Sequence, residues 1–132
     1  MTLPLKVEVG NAWSSSAIGI DGLPNGWFMG SHRFIRGDTL RASEIVELKW
    51  TPVPKGFDAG IKPCSEFMGI SILIQGHFQI LFRDAADQPW QEYEMVKQGD
   101  FIISHGGLEH ISRAIEDSVL LTVRLSVSRQ QP

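Results

Sequence analysis

One cysteine, one tyrosine and four histidines in 132 residues leave few side chains for disulfide, thiol or multi-histidine chemistry. Cys64 alone cannot close an internal disulfide, so the fold must be held by its core, and the chain suits a reducing cytoplasm. Positive charge is also scarce. Lys and Arg number 12 against 15 Asp and Glu, a net charge of -3, and the basic residues are scattered, so we expect no nucleic-acid partner. No apolar run approaches the length of a membrane span, and the segment from Met1 to Gly10 lacks a basic stretch followed by a long apolar core. We therefore expect a soluble, cytoplasmic protein with no membrane partner. Neither a Gly-x-x-x-x-Gly-Lys-Ser/Thr loop nor a Ser, His and Asp arrangement above chance is present, which leaves nucleotide-loop and hydrolase-triad chemistry unsupported.

Sustained helical periodicity is missing as well, although residues 37 to 45 have room for one turn. What remains reads as short strands, in a chain whose 42% hydrophobic and 20% charged content is that of an ordinary globular domain. Residues 10 to 30 are rich in Gly, Ser and Asn around Trp13, Trp27 and Phe28, and read as an irregular arm whose aromatics dock on something. From Ser43 to Trp50, the residues Val46, Leu48 and Trp50 alternate with Glu47 and Lys49 in the period of a half-buried strand, which Pro52, Pro54 and Gly56 should end. Met68 to Gln75 and His77 to Arg83 read as two long strands paired in a hairpin around Gly76. Trp90 to Lys97, Phe101 to Ile103, His110 to Ile115 and Val119 to Val127 continue the series, with turns at Asp84 to Pro89, Gln98-Gly99-Asp100 and Glu116-Asp117-Ser118. Many short strands with regular turns predict a sandwich or barrel.

The segment Gly99-Asp-Phe-Ile-Ile-Ser-His-Gly-Gly-Leu-Glu-His110 resembles the second sequence motif of the cupin superfamily. Gly99, Asp100, Gly107 and His110 fall in register with it, and His105 stands where that family prefers Pro. Of the first cupin motif, only the closing Gly is clear, as Gly76. Counting back from it puts the family's Glu at Gly69 and its two His at Pro63 and Ser65, or at Lys62 and Cys64, so three of four expected metal ligands are missing. A Glu-x-Lys-Trp strand, here Glu47 to Trp50, is similar to that of small single-domain, non-classical members. The resemblance spans roughly residues 40 to 127. It implies an all-β, RmlC-like fold: a cupin-type double-stranded β-helix, or jelly-roll barrel, over residues 41 to 132, with residues 1 to 40 as an irregular N-terminal arm.

For function, the resemblance with its missing ligands implies a barrel that binds a small organic ligand without a conventional metal site. The expected ligand-binding residues are His110, His105, Ser71 and Arg124. Arg124, at period two with Thr122 and Ser126, forms a polar face that either lines a pocket and binds a carboxylate or is solvated. The alternative is a metal-dependent cupin enzyme, a dioxygenase or isomerase, with a rebuilt divalent transition-metal site drawn from His110, His105, Cys64 and Glu66, or Glu109. A single imidazole is insufficient for that. His105 either joins His110 across the Gly106-Gly107 bend or faces solvent, and Cys64 reads more readily as a small buried hydrophobe than as a ligand or reactive thiol. His77 should lie at the opposite end of the barrel from His110, and His32 reads as a surface residue. Trp13 and Trp27 either lid a pocket or serve association, Trp50 and Trp90 pack in the core or at a contact, and a homodimer is expected.

Overall fold

The computed structural model describes residues 8–9, 12–13, 26–30, 46–63 and 68–125. Eleven strands occur among them and no α-helix: β1 (Glu8–Val9), β2 (Ala12–Trp13), β3 (Trp27–Met29), β4 (Val46–Val53), β5 (Lys62–Pro63), β6 (Met68–Gln75), β7 (Phe78–Arg83), β8 (Gln91–Met95), β9 (Phe101–Ser104), β10 (Glu109–Ala114) and β11 (Ser118–Leu125). β1 and β2 form a two-stranded ladder. The others make two antiparallel sheets, one of four strands in the order β5-β10-β7-β8 and one of five in the order β3-β4-β11-β6-β9. This is the expected all-β jelly-roll architecture. The one-turn helix allowed for at 37 to 45 lies outside the described residues.

The sheets sandwich an apolar core of Val53, Leu73, Phe78, Ile80, Phe82, Met95, Ala114 and Leu120, with Leu73 and Met95 completely buried. Burying a side chain of that size stabilises a fold by about 1.5–3 kcal/mol, so a handful of such residues can hold the sandwich without a disulfide. The turn Gln98-Gly99-Asp100 is fastened to the core strand: Gly99 N–H donates to the Leu73 carbonyl and Leu73 N–H to the Asp100 carbonyl, each at 2.8 Å.

Three expectations need correction. First, β6 and β7 do not pair. β6 lies between β11 and β9, while β7 lies between β10 and β8, so Gly76 carries the chain from one sheet to the other instead of closing a hairpin. At φ +106° it sits where a side chain is strained, and a Cβ there would strike the Asp117 carbonyl and Ser118. Second, β4 runs on to Val53, through Pro52. β3 pairs with β4 only at Lys49 and Leu48, so the neighbouring edge at Pro52 is unpaired among the described residues and a missing N–H breaks no ladder bond there.

Third, the alternation in β4 faces the other way. Glu47, Lys49, Thr51 and Val53 are the ladder partners of Arg124, Thr122, Leu120 and Ser118, and this set faces the space between the sheets, where Glu47 is only 5% exposed. Val46, Leu48 and Trp50 lie on the outer face, half-buried. The strand was legible from its period, but its orientation was not, because here the polar face lines the barrel.

Candidate ligand-binding site

The strand registers place the inward-facing residues in tiers. On the five-stranded sheet, Leu120 is level with Thr51 and Leu73, Thr122 with Lys49 and Ser71, and Arg124 with Glu47 and Gly69. On the facing sheet, Ala114 pairs with Phe78, Ser112 with Ile80, and His110 with Phe82 on one side and Lys62 on the other. Each two-residue step along these strands climbs about 6.6 Å. Polarity rises with it, from a largely apolar floor, through a tier of hydroxyls that also holds Lys49, to a rim with Arg124, Lys62 and His110.

A cavity of about 420 Å³ occupies this interior, lined among others by Trp27, Lys49, Lys62, Ser71, His110, Ser112, Thr122 and Arg124. A second, of about 380 Å³, shares Ser71, Ile80, His110, Ser112, Thr122 and Arg124 and reaches Gly69 and Ser104. Three of the four expected ligand-binding residues, His110, Ser71 and Arg124, thus meet in one space. His105 does not line it. It lies exposed in the turn before β10, where Gly107, at φ +93°, makes the bend that leads into the strand carrying His110.

Arg124 is held from two sides. Its Nε lies 2.9 Å from Glu47 Oε1, yet the N–H is not directed at that oxygen, so the pair is bound by charge and neither atom makes a hydrogen bond among the described residues. Its guanidinium also stacks over the Trp27 ring, 4.2 Å from the centroid, and Lys49 Nζ approaches the same ring at 5.5 Å. Trp27 thus lines the cavity. Trp90 stacks under Arg83, whose carbon lies 4.1 Å from the ring centroid.

Lys49 and His110 are both electrostatically unusual. Burial lowers the Lys49 pKa, and the positive charges of Arg124 and Lys62 lower it further. Burial also lowers the His110 pKa; a hydrogen bond to the Lys62 backbone opposes this and the Lys62 charge reinforces it. These effects together favour the neutral imidazole. Its ring lies 6.3 Å from that of Phe82, centroid to centroid.

The described residues of the cavity do not by themselves make a transition-metal site. Among the described residues no three His, Cys, Asp or Glu side chains converge, and the one imidazole in the cavity stands among Lys49, Lys62 and Arg124, whose charges repel a divalent cation. Glu109, a third ligand on one reading, alternates away from His110 and binds Arg83 Nε at 2.9 Å. Cys64, Glu66 and His32 lie outside the described residues. His77 caps the opposite end of β7 from Phe82, the partner of His110, and contacts Glu94 Oε1 at 3.3 Å.

Lys49, Lys62 and Ser112 were missed in the sequence. Lys49 alternates with Glu47 in a strand of its own, but its Val46, Leu48 and Trp50 neighbours made the wrong face look buried. Lys62 was reached only as a position where the first cupin motif would have a histidine, and its pairing with His110 is what brings it to the cavity.

No sequence-family profile matches the chain, and no curated protein matches it. Solved structures do. The chain is similar to a cupin superfamily protein from Desulfitobacterium hafniense, with a TM-score of 0.53 and 17% identity over 63% of this chain and 69% of that one. It is similar to KdgF from Halomonas sp., with a TM-score of 0.53 and 15% identity over 67% and 74% of the two chains. It also matches Streptomyces albus HEPD, solved with 2-hydroxyethylphosphonate and Fe(II) bound, with a TM-score of 0.54 and 14% identity over 64% of this chain but only 19% of that one. At these identities the likeness defines the fold, and the chain has the cupin fold.

Proposed function

We propose that this protein binds a small organic molecule inside its barrel, beside His110, without a conventional metal site. The observation that carries this reading is the convergence of His110, Ser71 and Arg124 on one cavity of about 420 Å³, a volume within the range of small-molecule sites. Hydroxyls of Ser71, Ser112 and Thr122 supply hydrogen bonds above an apolar floor, the mixture such sites use to orient a ligand. A metal-dependent reaction at His110 has less support, since that residue has cations for neighbours.

A fragment screen by NMR tests the reading. Bound fragments are expected to shift the backbone amides of Ser71, Ser112 and Thr122. Shifts confined to the outer faces of the sheets, or none from any fragment, would overturn it. Self-association is a separate proposal, supported by Phe101 and Ile103, which are 61% and 49% exposed on β9 at the end of the larger sheet. Sedimentation of the wild type and of Phe101→Ser with Ile103→Ser would decide it: a dimer lost in the double variant is expected, and a monomeric wild type would refute it.

A further inference from the structure

We infer that the molecule bound in this barrel is an organic acid, with its anionic head group between Lys49, Lys62 and Arg124 and its apolar body on the floor formed by Ile80, Phe78 and Leu120. The inference rests on the barrel interior being the ligand site and names the chemistry that site selects.

Charge separation within the molecule is the first reason. The chain as a whole carries -3, yet among the described residues the larger cavity is lined by three cations and no carboxylate. Glu47 pairs with Arg124 and offsets part of its charge. Concentrating like charges in a half-buried space costs free energy, and nothing in the barrel's architecture needs it. An entering anion relieves that cost, and each hydrogen bond it accepts from a cation is of the strong, charge-assisted kind.

Placement of the charges is the second reason. Lys49 and Lys62 flank the cavity from opposite sheets, Lys49 in the hydroxyl tier with Thr122 and Ser71 and Lys62 level with His110 nearer the rim, while the floor beneath is apolar. An inorganic anion would satisfy the cations and leave the floor uncovered. A molecule with a carboxylate at one end and a hydrocarbon body at the other covers both. Trp27, stacked on Arg124 and near Lys49, holds the cations at that end.

The test measures binding of matched pairs, hexanoate against hexanamide and benzoate against benzamide, to the full-length protein by NMR titration at low salt. Each acid is expected to bind about tenfold more tightly than its amide, as one charged hydrogen bond predicts. Lys49→Met and Lys62→Gln should each reduce that preference several-fold, and 0.5 M NaCl should weaken the acids only. Far-ultraviolet melts of both variants confirm that they fold, and if one does not, the other together with the salt dependence carries the test. Equal affinity for acids and amides would overturn the inference and leave the ligand-site reading intact. Inorganic phosphate binding as tightly as hexanoate would overturn the organic part. Binding by neither member of any pair would remove both.

Discussion

Glu47 and Arg124 face each other across the β4–β11 ladder, with Glu47 Oε1 2.9 Å from Arg124 Nε and the carboxylate side chain only 6% exposed. A buried acid is tolerated here because a cation stands beside it, and the cation is partly neutralised in return. Glu47→Gln removes that compensation. We expect it to destabilise the fold by roughly 1–3 kcal/mol, the usual consequence of stranding a buried charged partner, and at the same time to strengthen hexanoate binding. Chemical denaturation and NMR titration of the same variant check both effects. A variant that loses stability and also loses binding would mean that Glu47 positions Arg124 instead of attenuating it.

Gly76 joins the two sheets at φ +106°, with Ser118 Cα 2.6 Å from where a Cβ would stand. Gly76→Ala combines backbone strain with overpacking, and an urea melt should register a loss of roughly 2–5 kcal/mol. A loss below about 1 kcal/mol would contradict the rigid crossing described.

Asp100, a residue of the Gly99 to His110 motif, accepts hydrogen bonds from the Val96 and Lys97 N–H groups at 2.9 Å each, which lowers its pKa. Because the folded-state value is depressed, the stabilisation is complete above the unfolded value of about 3.9 and disappears as pH falls through the lower folded value. Asp100→Asn should lower the melting temperature at neutral pH and converge with the wild type in strong acid. A constant difference across pH would contradict this role.

His110 titrates by the same sign rule. Burial depresses its pKa from the ordinary value of 6.5, so the neutral ring's contribution is complete above 6.5 and is lost as pH falls through the lower folded value. The His110 Cε1–H resonance should show a midpoint below 6.5, and His110→Gln should flatten the corresponding acid limb of the stability profile. A midpoint above 6.5 would place the ring in solvent or beside an acid.

Strand positions after Arg41 were largely legible in the sequence, because alternation and turn residues are local. Sheet membership was not. Met68–Gln75 and Phe78–Arg83 look like a hairpin at the level of propensity, and only the steric demand at Gly76 and the long-range ladders with β11 and β10 send them to different sheets. The site was half legible. His110 and Arg124 were marked by a motif and by a polar period, whereas Lys49 was hidden by the assumption that apolar residues face inward, which fails for a barrel with a polar lumen. Lys62 was met only as a position where a motif histidine is missing, and its role at the cavity depends on pairing with His110, 48 residues away by subtraction of their numbers.

The most direct test is a crystal structure of the protein soaked with hexanoate. The carboxylate is expected within hydrogen-bonding distance of Lys49, Lys62 or Arg124, with its chain on Ile80 and Leu120 and no metal beside His110. A metal ion bound by His110 with Cys64 or Glu66, or an interior filled by protein side chains, would contradict the account.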